Sequence, residues 1–546
     1  MDVNNKPNLP TEEKPDLPSV ESPSFDATIN EVNELLHEIE GSANSRKTSD
    51  RERPVVQSSD LDELGSVARE IRRSQWQLGR RSISSRQWSR QAAIVIASLA
   101  AVLYLVFRAL YTLNLVHPFA AVFSVILLVA EAYGLFHLSL YFYQVWRLVE
   151  PPIQDAKTDR TVDVFVTTFN EEVDLLRNTL RACVEMEYPH TTYVLDDGHR
   201  EEVRELAESL GVKYIAREDR KHAKAGNVNN ALRQTRGDFV IILDADHVPH
   251  MHFIMRMIGY FNDPEVGFVQ APHTTYNLDN FLGHWSAKSR VYWEDVRIFF
   301  EAVQLGKNRY GCACFCGSAA MFRRKALEDI DLFATETITE DLHTGMRINA
   351  AGWKSFAVNE ELVVGLAPED SETSAKQRLR WGEGNLSVMA YDNPLTMKGL
   401  RLSGRINYLA SILNWTYGPA RLIMYLVPIV MLLTAVAPVA NLSLAYIAVV
   451  VFYLVSIWAA VKIVSNKCGN LLRIELAMMS AFNVHIHAIW RALFKRRSQK
   501  FVVTAKRRAQ NSSVLRRMWP QVTIVSLGFV AISWAATRVL STPWPL

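Results

Sequence analysis

Cysteine is scarce in this chain, with five among 546 residues, and the arrangement of those few excludes two uses. Cys312, Cys314 and Cys316 in CACFC alternate, which on a strand puts three thiols on one face, a spacing that suits neither a tetrahedral zinc site nor a disulfide. Reduced cytosolic thiols are expected. Net charge is almost missing as well: 60 basic residues against 57 acidic ones leave +3, too little to argue for a nucleic-acid partner. The first 60 residues contain no long apolar run and are rich in Pro, Ser, Asn, Glu and Asp. That predicts no signal peptide and a mostly disordered tail, in which INEVNELLHEIE (29–40) reads as a solvated amphipathic turn or two.

Acid is absent where base is concentrated. Ten Lys or Arg and no Asp or Glu lie between Arg491 and Trp519, and arginines at 72, 73, 80, 81, 86 and 90 precede the first apolar span. Hydrophobic residues make up 49% of the chain while the mean hydropathy is near zero, so a polar part is being averaged with a very apolar one. Apolar runs at about 92–114, 118–145, 420–438, 443–464 and 520–540 each approach the ~20 residues that a membrane-spanning helix needs. The links between spans one and two and between three and four are uncharged near the turn. With the basic flanks they predict a cytoplasmic N-terminus, five spans and Leu546 outside. Glu131, inside the second span, is expected either to line a polar path or to pair with Arg108.

Between about 155 and 400 the pattern changes to strand and helix in alternation: VDVFVTTF then VDLLRNTLRACVEM, TTYVLD then EEVRELAESLG, FVIILDAD then FIMRMIGYF. This is the signature of an α/β domain, a mostly parallel sheet with helices on both faces, and ligands bind such sheets at the carboxyl ends of the strands. The expected organisation is a partly basic tail (1–90), two spans (91–150), the α/β domain (151–400), then interfacial helices, three spans and a cytosolic loop at 495–510 (401–546). Amphipathic stretches near 395–417 and 470–494 are predicted to lie in the membrane interface and seat the domain.

The polar residues that follow those strands define a site. TTFNEE (167–172) offers Thr168, Asn170 and Glu171, and DDG (196–198) offers Asp196 and Asp197 to a base or ribose, with Gly198 allowing close backbone approach. Asp244 and Asp246 in DAD can share one hard cation, Mg2+ or Mn2+, against the diphosphate of a nucleotide sugar. Lys224 in HAKAGN (222–227) adds a point charge for phosphate. In TITED (337–341), Asp341 is the candidate base for deprotonating an acceptor hydroxyl, and Thr339 is a candidate helix cap with Glu340 and Asp341 in the first turn. QRLRW (377–381) supplies Gln377, the planar forks of Arg378 and Arg380, and Trp381, whose indole can stack on a sugar. Cys316, Gly317 and Ser318 place small residues beside the acceptor.

Together DADHVP, HAKAGN, FCGSAA, TITED, QRLRW and FVVTAK (501–506) make the chain resemble the processive members of glycosyltransferase family two, bacterial cellulose synthase catalytic subunits above all, from about 90 to 540. The resemblance implies a GT-A domain inserted between membrane helices of a bacterial inner membrane, with the catalytic domain cytoplasmic. It implies UDP and metal binding by the DDG and DAD acids, Asp341 as base, and acceptor contact at Glu340 and Trp381. Phe501, Val503, Thr504 and Lys506 fall on a gating loop over the donor. The implied reaction is inverting polymerisation of glucose from UDP-glucose into a β-glucan that is moved across the bilayer, with a periplasmic or membrane accessory subunit as an implied partner. β-1,4 linkage is expected, with β-1,3 (curdlan) and mixed-linkage synthases as alternatives and a UDP-GlcNAc donor as the main competitor. A lipid glycosyltransferase without processivity, or a silent scaffold, fits less well, because acceptor clamp and acids are all present. Cellulose synthases commonly carry a carboxyl-terminal PilZ domain and further spans. With this chain ending at Leu546, control in cis by cyclic-di-GMP is not expected.

Overall fold

The structure, a computed structural model, describes residues 86–151, 159–275, 284–286, 291–293, 296–368, 370–466, 469–494 and 518–541. Seven strands form the central sheet: β1 Val162–Thr168, β2 Thr191–Asp196, β3 Lys213–Ile215, β4 Phe239–Asp244, β5 Val266–Gln270, β6 Ala320–Arg323 and β7 Lys354–Ala357. Their order is β7-β5-β6-β4-β1-β2-β3, parallel throughout except for β6, which runs antiparallel to both neighbours. Every residue of β1 (VDVFVTT) is buried, as a central strand covered on both faces requires. Phe165, Ile242, Phe268, Phe315, Phe322 and Phe333 belong to one buried cluster. Each contributes about 1.5–3 kcal/mol by leaving water.

The order locates the ligand crevice. The chain moves outward through β1, β2 and β3, then returns to the other side of β1 to form β4, so the β1/β4 boundary is the point where strand order reverses. Loops leaving β1 and β4 part there and open a cleft at the carboxyl ends of the strands. Because β6 is antiparallel, it enters the sheet beside the end of β4, with Ala320 opposite Ile242. Residues 316–319 are thereby delivered into the same cleft.

Helices α1 Gln87–Tyr111 and α2 Pro118–Val145 precede the sheet. The sheet's own helices include α3 Val173–Val184, α4 Glu201–Ser209, α5 Ala223–Gln234 and α6 Glu340–Ala350. Then follow α7 Ser371–Tyr391, α8 Leu402–Leu413, α9 Gly418–Thr434, α10 Leu444–Val464, α11 Leu471–Phe494 and α12 Trp519–Ser541. Four of these helices, α1, α2, α10 and α12, are long and apolar enough to cross a membrane. The third predicted span, 420–438, falls on α9, which has 17 residues, contains Pro428, and stops at Ala435, whose φ of 57° leaves the helical region. It joins α8 through the turn Asn414–Thr416 with a bend of 43°, so a fifth crossing exists only if that bent pair counts as one. Large apolar side chains such as Leu99, Val102, Leu110, Val129, Val451 and Phe529 are exposed on these helices, as on surfaces that meet lipid.

Glu131 takes the second of its two expected roles. Its carboxylate accepts from Arg108 Nε at 3.1 Å and from the Tyr104 hydroxyl at 2.7 Å, while Arg108 Nη1 donates to Thr112 Oγ1 at 2.7 Å. Arg108 is fully buried, and Tyr104 stacks on Tyr453 of α10 with ring centroids 4.5 Å apart. One acid therefore pins α1, α2 and α10 through polar groups that would otherwise be costly in an apolar bundle.

Candidate active site

Two strand-end loops build one wall. Glu171 Oε2 accepts from Thr168 Oγ1 at 2.8 Å and from the amides of Phe169 (2.8 Å) and Asn170 (3.2 Å), closing the turn after β1 on itself. Asn170 stays exposed. Asp196 is fully buried and accepts from the amides of Gly198 (2.8 Å) and Arg200 (2.7 Å) and from the Tyr214 hydroxyl (3.1 Å), so it shapes the loop after β2. Asp197 meets the fork of Arg217 at 2.7 and 2.8 Å. Gly198 is required by contact: a Cβ there would lie 2.3 Å from the carbonyl oxygen of Phe169. The two loops touch backbone to backbone, and Asp197 N donates to Thr168 O at 3.0 Å.

The floor is more crowded. The ammonium of Lys224 pairs with Asp244 and donates to Gly317 O at 2.6 Å. α5 reaches that position through two residues in the left-handed region, His222 (φ 63°) and Ala223 (φ 43°), strain of a kind that clusters at functional sites. Burial alone would lower the pKa of Lys224, but the charges of Asp244 and Glu340 outweigh it and raise it. Asp244, Asp246 and His247 each offer a ligand atom, all within 4.8 Å of one another. The sequence suggested that alternate positions of one strand would align the two acids. In fact β4 ends at Asp244 and a turn brings Asp246 round, with His247 joining them. Two carboxylates with an imidazole suit Mg2+ or Mn2+ on the oxygen side and Mn2+ on the nitrogen side.

Ser318 ties the floor to the FCGS segment: its hydroxyl accepts from Asp244 N at 3.0 Å and stands 2.6 Å from His247 Nδ1. Gln270 holds the same segment, its side chain accepting from Cys316 N at 2.9 Å and donating to Ser318 O at 2.8 Å. Burial pushes the Cys316 thiol well above its usual range, which marks it as a neutral packing group rather than a nucleophile. The CACFC segment is not a strand; it makes one bridge, between Cys312 and Ser355.

Asp341 faces Gly317. Gly317 has φ +87°, and a Cβ on it would come 3.3 Å from Asp341 Oδ2. The carboxylate accepts from the amide of Leu342 at 2.7 Å. Burial first, then the charge of its neighbour, raises Glu340; burial raises Asp341, against the pull of Lys224 and Arg380. Thr339 does not cap α6 as expected. Its hydroxyl is buried with no hydrogen-bond partner among the described residues, and its methyl packs at Gly384 of α7, where a Cβ would lie 2.4 Å away.

α7 starts on Asp370, which accepts from Glu372 N and Thr373 N at 2.8 and 2.9 Å. Gln377, Arg378, Arg380 and Trp381 are all half-buried along it. The two arginines part company: the charge of Arg380 acts on Asp341, whereas that of Arg378 acts on His485 of α11. Trp381 meets Trp415 edge to face at 6.4 Å, and Trp415 meets His485 at 5.4 Å. An aromatic row thus leaves the cleft toward the apolar helices. Phe501, Val503, Thr504 and Lys506 lie outside the described residues. Sequence reasoning missed Arg217, His247 and Gln270; only His247, adjacent to DAD, carried a local signal.

Residues 159–384 match the family model described as glycosyltransferase like family 2, and residues 332–512 match the one described as cellulose synthase. The two matches overlap at 332–384 and together run from 159 to 512, so this region is similar to both families. The transferase region is 36% identical over 361 residues to the cellulose synthase 1 catalytic subunit (UDP-forming) of Komagataeibacter xylinus, covering 64% of this chain and 48% of that protein. It is also 36% identical over 305 residues to the cellulose synthase catalytic subunit (UDP-forming) of Xanthomonas axonopodis pv. citri, covering 54% and 42%. The chain thus spans about half the length of these curated relatives, and only 22% of a longer cellulose synthase 2 from Novacetimonas hansenii. A mannosyltransferase of Pyrobaculum calidifontis, solved with GDP-Man and Mn2+, superposes with a TM-score of 0.50 at 20% identity, over 68% of this chain and 99% of its own, which fixes the GT-A fold.

Proposed function

We propose that this protein is a membrane-embedded, processive, inverting transferase that polymerises glucose from UDP-glucose into a β-1,4-glucan and passes the product across the bilayer. The observation that carries the reading is the meeting of Lys224, Asp244, Gly317 and Asp341 in one cleft at the β1/β4 switch point, with α7 leading out of it. The UDP-forming relatives favour a UDP-sugar donor.

Asn170, Glu171 and the loop held by Asp196 and Asp197 cradle the uridine, and Thr168 fixes that wall through Glu171. Lys224 and Arg380 meet the diphosphate, with Gln377 and Arg378 on the same helix. Asp244 and Asp246 would hold a divalent ion, which would neutralise the departing diphosphate. Asp341 takes the proton from the acceptor hydroxyl as that oxygen bonds to the anomeric carbon and the carbon–oxygen bond to UDP breaks on the opposite face. Its raised pKa keeps it basic enough for the task. Glu340, Cys316, Gly317 and Ser318 shape the acceptor side, and Trp381 stacks on the terminal sugar.

The polymer then follows the aromatic row. Past Trp415, His137 lies 5.3 Å from the ring of Tyr417 and 4.7 Å from that of Tyr133, whose hydroxyl bonds Thr416 at 2.5 Å. Rings with polar edges suit sugars, which have apolar faces and hydroxyl rims. The basic flanks favour a cytoplasmic catalytic domain, and an accessory subunit would then meet the product on the far side. Full-length protein reconstituted in vesicles and given UDP-glucose with Mg2+ or Mn2+ is expected to make a polymer that an endo-β-1,4-glucanase digests and a β-1,3-glucanase does not. The reverse digestion pattern, or incorporation only from UDP-GlcNAc, overturns the substrate assignment.

A further inference from the structure

Lys307 is a buried cation with an unusual set of neighbours. It ends the helical stretch 296–307, is fully enclosed, and directs its amine to Cys314 Sγ at 2.8 Å, Ser411 Oγ at 2.6 Å and the ring of Tyr408, 5.9 Å away. The Ser411 hydroxyl donates to Asn407 O at 3.1 Å and so accepts from the lysine. These partners are a thiol, a hydroxyl and a ring face, where a buried lysine ordinarily meets a carboxylate. The position is rigid: a Cβ on the preceding Gly306 would lie 1.9 Å from Gln144 O of α2, so the turn is pressed against that helix. Cys314 is 2% exposed. None of the transferase chemistry uses either group.

We propose that Lys307 Nζ and Cys314 Sγ are a modification site, joined under oxidising conditions by a single oxygen atom into an N–O–S bridge. With dioxygen as oxidant, one oxygen atom becomes the bridge, bonded to sulfur and nitrogen. The other leaves as water with the thiol hydrogen and one amine hydrogen. Sulfur and nitrogen each give up two electrons, the four that dioxygen takes. Hydrogen peroxide serves equally, two molecules supplying the bridge oxygen and releasing three waters. Two equivalents of a dithiol reverse the step, returning amine, thiol and one water. The groups are already held at contact distance on packed elements, so insertion of one atom requires little rearrangement, the condition under which proximity accelerates a reaction. Cys314 lies just ahead of Gly317 and Ser318, which hold Lys224 and the amide of Asp244. The bridge fastens that segment to the turn beneath it, so oxidised protein resists heat better than reduced protein.

Purified full-length protein in detergent, exposed to air or hydrogen peroxide, alkylated and digested with trypsin, tests this directly, because Arg309 separates the two residues into different peptides. The expected product is a Lys307–Cys314 linked peptide pair one oxygen heavier and two hydrogens lighter than the sum of its parts. It is lost after dithiothreitol, absent in Lys307→Met and retained in Cys312→Ser and Cys316→Ser. The melting midpoint of the wild type rises on oxidation and falls back on reduction. Recovery of Cys314 from oxidised wild-type protein only as alkylated thiol, as sulfinic acid or in a disulfide with Cys312 overturns the proposal, whether or not any variant folds.

Discussion

At the scale of single residues, the proposed base is Asp341, a carboxylate that burial holds above the ordinary carboxylate range and whose charge in turn raises its neighbour Glu340. A base works only when deprotonated, so a raised pKa means that activity is present above it and is lost early as pH falls. For kcat/KM toward UDP-glucose, which reports the free enzyme, the acid limb is expected above the ordinary carboxylate range. Glu340→Gln removes a like charge and moves that limb to lower pH; an unmoved limb would assign the titration elsewhere. Asp341→Asn is expected to lower polymer formation by about 100- to 10,000-fold while UDP binding, measured by calorimetry, changes little. Asp246→Ala tests the other pole. Chelation should abolish wild-type synthesis and added Mn2+ or Mg2+ restore it, whereas the variant stays inactive with either ion; full activity in chelator removes the metal from the reaction.

Two glycines separate the functions of whole elements. Gly198 lies where the loops after β1 and β2 touch, and alanine there drives a Cβ against the carbonyl of Phe169. Gly198→Ala should therefore raise KM for the donor more than it lowers kcat, since the loops it parts are those proposed to cradle the nucleotide. Gly317→Ala places a side chain at φ +87°, a conformation costing an L-residue about 1–2 kcal/mol, and sets its Cβ against Asp341. Steady-state kinetics should show the opposite pattern, with kcat reduced and the UDP dissociation constant almost unchanged. If both variants gave the same pattern, the division of the cleft into donor wall and acceptor floor would be wrong.

For the whole molecule, the helices carry two kinds of polar group that ought to respond differently. Glu131 compensates the buried Arg108, so Glu131→Ala leaves a cation enclosed without its acid and is expected to cost about 3–5 kcal/mol, read as a lower melting temperature in detergent. Trp415 stands between Trp381 and His485 on the proposed path of the polymer. Trp415→Ala should keep most of the stability yet yield shorter chains by size-exclusion chromatography, because a weaker stacking platform releases the polymer sooner. Chains of unchanged length from that variant would move the exit path elsewhere.

The sequence by itself determined the elements and the inventory. Alternation of apolar strands with amphipathic helices prescribed the α/β sheet, because side-chain period follows secondary structure directly. The acids after β1, β2 and β4 were legible because strands in such a sheet present their carboxyl ends to the ligand. Local pattern could not say where a helix stops, since α9 ends at a left-handed Ala435 that no composition announces. Nor could it say which groups meet across the chain. The antiparallel entry of β6 brings Ser318 to Asp244 and Gly317 to Asp341, Arg217 closes on Asp197 from another loop, and Lys307 finds a thiol instead of an acid. Those pairings depend on how distant segments pack, and packing is settled by the whole sheet and bundle, not by the residues adjacent in the chain.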